Sequence, residues 1–222
     1  MPARGVRVRV KVKEAFIRQA DGVRVQARAE LLSGGKPLAR GSGELLFTKY
    51  GLSGPLILDL SRAAVFARGA VKLRIDLFPE YTEKTLAALL SGRREKMADR
   101  FWRDFLCGLA DERLMLLISE RAGAGQNKLV SAVPDKVFRE FARLLKALEF
   151  ELDGPLGFED AMVSAGGVKT SEIDPATFGS FKTKGLFITG ELLDIDGDSG
   201  GFNLHFAWTS GLLAGRAAAI IR

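Results

Sequence analysis

The residues best placed for chemistry in this chain cluster toward its C-terminal end, in the run TKGLFITGELLDIDGDSGGFNLHFAWTSGLLAGR over residues 183–216. Residues 185–189 read as a short buried strand, with Glu191 as the acid at its carboxyl end. An acidic, glycine-rich loop carrying Asp194, Asp196 and Asp198 follows, and a helix is expected to start near Gly201 or Phe202. A strand-end acid ahead of a glycine-led helix start makes a site for an anion or a cofactor. The first N–H groups of a helix have no intrahelical acceptor, the helix dipole is positive there, and glycines allow a ligand to come close.

Several motifs near this loop imitate other chemistries. Asp194, Asp196 and Asp198 resemble the opening of a calcium loop. Such a loop needs glycine at its sixth place and a bidentate glutamate at its twelfth, where this chain has Ser199 and His205. Gly197-Asp198-Ser199-Gly200-Gly201 resembles the nucleophile loop of trypsin-like proteases. That chemistry needs a histidine base and an orienting aspartate, and the single histidine lies six residues after Ser199 on the expected helix. One histidine and one cysteine, Cys107, cannot assemble the usual zinc or iron–sulfur ligand sets, so no metal is expected. A dinucleotide fingerprint is missing too. Gly123-Ala124-Gly125 leads to Lys128, and Gly41-Ser42-Gly43 leads to Leu46, where the third glycine should stand.

Behind the loop, the first third of the chain is patterned as β structure. Val6, Val8, Val10 and Val12 alternate with Arg7, Arg9, Lys11 and Lys13, which predicts one strand with a wet, basic face. Residues 23–32, 43–48 and 70–78 alternate as well, and Ser53-Gly54-Pro55 predicts a helix start. The net charge of +6 is concentrated in this part of the chain. A phosphate-binding stripe and a solvated strand face both account for it. The absence of interleaved aromatics favours the solvated face over nucleic-acid binding.

From Tyr81 the period changes to that of helices. Leu86, Leu89 and Leu90 share one face. Phe101, Phe105, Leu106 and Leu109 share a second, and Leu114, Leu117 and Ile118 a third. Val137, Phe141, Leu144, Leu145 and Leu148 make a fourth, opened by Pro134-Asp135. Asp153-Gly154-Pro155 then marks a return to extended chain. Residues 161–169 form a short apolar strand whose double glycine, Gly166 and Gly167, would let backbone pass close to a ring or form a bulge. No apolar run reaches the roughly 20 residues of a membrane helix, no signal-peptide core is visible, and the lone cysteine suits a reducing cytoplasm.

Three segments together, GELLFTKYGLSGP (43–55), AMVSAGGVKTSEIDPATF (161–178) and GLFITGELLDIDGDSGGFNLHFAWTSGLLAG (185–215), resemble the FAD-dependent flavoproteins that include aminoacetone oxidase-like and BaiN-like enzymes. The resemblance implies an α+β architecture in which a glutathione-reductase-type FAD domain is interrupted by a barrel-like subdomain carrying a helical insert. On that pattern residues 1–79 begin the barrel-like subdomain, 80–152 are the insert, 153–172 return to the barrel, and 173–222 rejoin the FAD domain. It implies Glu191 at the ribityl chain with Asp194 assisting. Gly200, Gly201, Phe202, Asn203 and Leu204 would face the flavin ring, with Gly166 and Gly167 nearby. Asn203 and Leu204 N–H groups would stabilise charge at the flavin N1/O2 edge. Gly211, Gly215, Ala207, Ala214 and Ala218 would pack against Rossmann strands. Lys49 stands where the family often has histidine, and His205 where it often has glutamine. The Rossmann segment that binds FAD's adenosine and pyrophosphate is absent from this sequence. A split gene product that pairs with a Rossmann half in a separate chain and a truncated reading frame both account for this, and the other expected partners are a small-molecule substrate and NAD(P)H as donor. The reading of a different class is a non-enzymatic module whose basic strand face engages nucleic acid or an acidic partner.

Overall fold

The alternating basic stretch at the N-terminus becomes two strands in two different sheets, β1 (Arg4–Val6) and β2 (Val10–Val12). A computed structural model of the protein describes residues 4–6, 9–13 and 16–220. Arg7 and Val8, central to the single strand expected there, lie outside the described residues. The chain divides into two compact units, one spanning Val10–Pro155 and the other combining the N-terminal residues up to Arg9 with Leu156 onward.

The first unit is a closed six-stranded barrel. Along the chain come β2, helix α1 (Phe16–Gln19), the strands β3 (Arg24–Ser33), β4 (Lys36–Thr48) and β5 (Gly51–Ser53), helix α2 (Pro55–Phe66) and strand β6 (Val71–Asp76). The helices α3 (Glu83–Lys96), α4 (Trp102–Leu106), α5 (Glu112–Ala122) and α6 (Asp135–Lys146) follow, and β7 (Leu148–Pro155) closes the barrel in the order β2-β5-β4-β3-β6-β7. Closure leaves no sheet edge for misplaced pairing. The long β3–β4 hairpin turns on Gly34 and Gly35, whose φ values of 55° and 77° suit the two-residue turn that matches strand twist. Ala27, Ala29 and Leu31 of β3 and Val71, Leu73 and Ile75 of β6 point into the core. Their neighbours carry cross-strand ion pairs on the wet side, Arg24–Glu44, Arg40–Glu30, Arg74–Glu149 and Lys13–Glu151. Each such exposed pair contributes about 0–1 kcal/mol, so they set register more than stability.

Gly54 caps α2 with a φ of 92°, and a Cβ there would lie 2.6 Å from the Glu44 carbonyl oxygen. Pro55 begins the helix as the sequence predicts. Leu56 then packs over Gly41, where a Cβ would come within 2.9 Å of its Cδ1 atom. The four insert helices form as expected, with Thr82 and Asp111 side chains capping α3 and α5. Two faces are corrected. Phe101 and Leu89 are exposed, and Trp102 takes the central place, fully buried, stacked on Phe105 at 4.5 Å and edge-on to Phe141. Its indole N–H donates to the Ser119 hydroxyl. Phe101 is the extended cap residue ahead of α4, so it leaves the helical stripe, and Trp102 is the first residue of the helix.

The strand that returns to the barrel is β7, which begins before the expected return over residues 153–172 and overlaps it only at 153–155. Leu148 and Phe150 are buried at its start, and Gly154 and Pro155 end it. Strand β8 (Val163–Ala165) pairs antiparallel with β1 in the second unit. That unit also contains α7 (Phe202–Ile220), starting where the sequence places it. The buried strand expected over residues 185–189 does not form. Phe187 makes one isolated bridge to Gly179, Leu186 is exposed, and Ile188 N–H donates to the Phe178 carbonyl. An apolar segment of this kind needs sheet neighbours along its length, and among the described residues it has only this short loop partner. No helix among the described residues is long and apolar enough to cross a membrane.

Candidate functional site

The second unit gathers the expected site residues around the start of α7. After β8, Gly166 and Gly167 turn the chain with φ values of 101° and 138°. This brings Val168 beside Leu193 in a parallel bridge, with Val168 N–H donating to the Leu192 carbonyl and Asp194 N–H to the Val168 carbonyl, both at 2.8 Å. A Cβ on Gly167 would sit 2.5 Å from the Leu192 oxygen. Within this chain, the close approach those glycines permit is backbone to backbone. Asp194 completes the clasp, its Oδ1 accepting from the Gly166 N–H at 2.9 Å.

Glu191 lies in a single 3-10 turn (Gly190–Leu192) instead of at a strand end, and its side chain is exposed. Gly190 is buried against α7, its N–H donating to the Ser210 hydroxyl, which donates in turn to the Ala207 carbonyl. Ser210 was not foreseen as a positioning residue. Its only sequence signal is a small polar side chain inside an apolar helix, which does not reveal its target. From there the loop runs to Gly197, whose N–H donates to Asn203 Oδ1 at 2.8 Å while Asn203 Nδ2 donates to its carbonyl at 3.1 Å. The Asn203 side chain thus ties the loop to the first turn of α7. Gly200 and Gly201 precede that turn with φ values of 119° and 93°, and a Cβ on Gly201 would meet nothing within 4 Å. His205 N–H makes the first intrahelical bond, to the Gly201 carbonyl. The N–H groups of Phe202, Asn203 and Leu204 therefore precede the helical ladder. Phe202, Leu204 and His205 have exposed side chains.

One further segment supports the helix. Asp174 accepts from the Ala176 N–H and the Thr177 hydroxyl, and these bonds hold its carboxyl below the usual range. The Lys182 ammonium does the same for Glu172. The turn they frame forces Phe178 into the left-handed region at φ 58°, which is strained for a bulky side chain. Its ring meets Phe206 of α7 edge-on at 6.0 Å.

The outer side of α7 is largely apolar. Leu204, Ala207, Trp208, Gly211, Leu212, Gly215 and Ala219, with Arg216 as the one charged residue, line an open groove of about 740 Å³ along the helix. Trp208 is 74% exposed, and Cβ atoms on Gly211 or Gly215 would face empty space. Ala214, by contrast, packs inward. The residues present fit the ring end of FAD. Open glycines lead to unladdered N–H donors, and an exposed carboxylate stands on the turn packed against the same helix.

The chain matches the family model described as HI0933-like protein barrel and H2TH domain over residues 5–163. It belongs to this family of FAD-dependent, BaiN-like oxidoreductases, the one that its motifs resemble. It is 34% identical over 215 residues to the 3-dehydro-bile acid delta(4,6)-reductase of Clostridium scindens, covering 96% of this chain and 53% of that protein. It is also similar to the ribosomal RNA dihydrouridine synthases of Haemophilus influenzae and Escherichia coli. The identities are 28% and 29%, each covering 75% of this chain and 40% of the relative. The chain thus spans about half the length of the curated relatives it matches.

Proposed function

We propose that this chain supplies the barrel, the helical insert and the ring-side half of the flavin site of an FAD-dependent oxidoreductase. The observation that carries this reading is the glycine-led, exposed start of α7, with Glu191 on the turn packed against the same helix, in a chain of this family. FAD, when bound, accepts and delivers a hydride. This chain's part is to orient and to stabilise charge. With FAD bound, the N–H groups of Asn203 and Leu204 and the positive end of the helix would stabilise the negative charge that develops on the ring on reduction. The exposed Glu191 carboxylate would accept from the ribityl hydroxyls. Asp194 acts one step back, fixing the Gly166-Gly167 turn beside the Leu192–Asp194 segment.

The groove on α7 is the docking face for the Rossmann half that carries the adenosine and pyrophosphate site. Two facts support this occupant. The relatives are about twice as long as the stretch they share with this chain, and small residues at Ala207, Gly211 and Gly215 suit close helix-on-sheet packing. The complete enzyme works in the cytoplasm with a nicotinamide donor. Its reaction is the reduction of an activated carbon–carbon double bond, as the relatives named as a bile acid reductase and as ribosomal RNA dihydrouridine synthases suggest. Co-expression with the Rossmann half of a full-length family member tests the docking directly. The halves should co-purify, and Trp208→Lys should separate them. Failure of the wild-type halves to associate would overturn the assignment of the groove.

A further inference from the structure

We infer that the rim of the barrel holds a second binding site, for a phosphate-bearing small molecule with a planar group. Lys11, Val12, Ile17, Arg18, Lys49, Tyr50 and Asp153 line a cleft of about 620 Å³ there. That volume is within the range of small-ligand pockets, roughly 300–1,000 Å³. The barrel order explains how these residues meet. β2 lies between β7 and β5, so Asp153 of β7 flanks it on one side and the β4–β5 hairpin tip, Lys49-Tyr50, flanks it on the other. The tip is tight. Thr48 Oγ1 donates to the Gly51 carbonyl at 3.1 Å, and Lys49 N–H donates to Asp21 Oδ1 at 3.0 Å. Arg18 reaches the cleft from α1, anchored by the buried Ile17. β2 shifts register between Val10 and Val12, and Lys11 sits at that irregularity, the kind of strand defect that re-aims a side chain.

The charge pattern points to a ligand. Elsewhere on the barrel Arg24, Arg40, Arg74 and Lys13 face carboxylates across the strands, and Arg28, Lys36 and Lys72, which form no ion pair among the described residues, are spread over β3, β4 and β6. Lys11, Arg18 and Lys49 form no ion pair among the described residues, although all three are exposed. Three converging cations around one cleft concentrate positive potential and suit a dianion. Tyr50, 64% exposed, offers its ring face as a platform for a planar group. Asp153 adds one acceptor for an N–H donor on that group. A bare anion would use the cations alone, so a ligand with both parts fits the lining best. No aromatic interleaves with the basic residues along β2 itself. Tyr50 is distant from Lys11 in sequence, and the β2–β5 pairing joins them.

The test is calorimetric titration of the full chain at low ionic strength with adenosine 5′-monophosphate, adenosine, inorganic phosphate and single-stranded RNA oligonucleotides. The monophosphate should bind ~10-fold or more tightly than adenosine or inorganic phosphate, since each of these lacks one recognised part. Lys49→Ala and Arg18→Ala should each weaken it ~10-fold with unchanged melting temperature. Tyr50→Ala should weaken it and Tyr50→Phe should not. Glu191→Ala should leave it unchanged, which separates this site from the flavin site. Equal binding of adenosine and its monophosphate would overturn the proposal. So would indifference to Lys49→Ala and Arg18→Ala, or an affinity for RNA that grows with length and surpasses the mononucleotide.

Discussion

Asp194 shows how a motif residue acquires a structural duty. It is expected to assist Glu191 at the ribityl chain, and its Oδ1 accepts from the Gly166 N–H. Asp194→Ala removes that acceptor and leaves a buried N–H unpaired, a cost of about 1–3 kcal/mol. Hydrogen exchange should show loss of protection at Gly166 and Val168, with Asp194→Asn milder because an acceptor remains. Gly167→Ala should be more severe, because its Cβ would lie 2.5 Å from the Leu192 oxygen at a φ that L residues rarely adopt. Asp174 gives a pH handle. Its folded pKa is lowered, first by the Ala176 N–H and then by the Thr177 hydroxyl. Its contribution is therefore complete above the ordinary carboxylate range, about pH 4, and is lost as pH falls through the lowered folded value. Protection of the Phe178 turn should fall in acid, and Asp174→Asn should remove that pH dependence.

At the scale of elements, Gly211 and Gly215 separate two roles of α7. Glycine inside a helix costs roughly 0.5–1 kcal/mol relative to alanine, and nothing within 4 Å opposes a Cβ at either place. Gly211→Ala should therefore stabilise the chain alone, read by thermal melting, while weakening its association with a Rossmann half. If both properties rise together, the groove is not a docking face. Trp102 makes the matching prediction for the insert. Trp102→Ala empties the centre of the stack with Phe105 and Phe141 and should cost about 3–5 kcal/mol in a denaturant titration. Period-two and helical patterns made β3, β6 and the insert helices legible, because each buries one face. Segment 185–189 was misread for the converse reason. An apolar run resembles a buried strand whether or not sheet neighbours lie beside it. The split between β1 and β2 was invisible because alternation continues across residues 6–13 while the pairing partner changes from β8 to β5 and β7.

On the scale of the whole molecule, the barrel unit closes on its own buried core, whereas α7 presents Leu204, Trp208 and Leu212 to solvent. A patch of this kind marks an interaction surface. The candidate site was legible as far as α7's start and the glycines around it, since a helix N-terminus is a local feature. The clasp that supports it joins residues 166–168 to 192–194 and could be read only from the fold. The central claim is that this chain contributes the ring-side half of a flavin site and needs a Rossmann half to complete it. The most direct measurement is the visible absorbance of the purified protein, alone and after co-expression with such a half. The account predicts a colourless chain alone and a yellow complex with one flavin per pair, and Glu191→Ala should lower the flavin retained. Stoichiometric FAD on the chain alone, or a complex that forms without flavin, would contradict it.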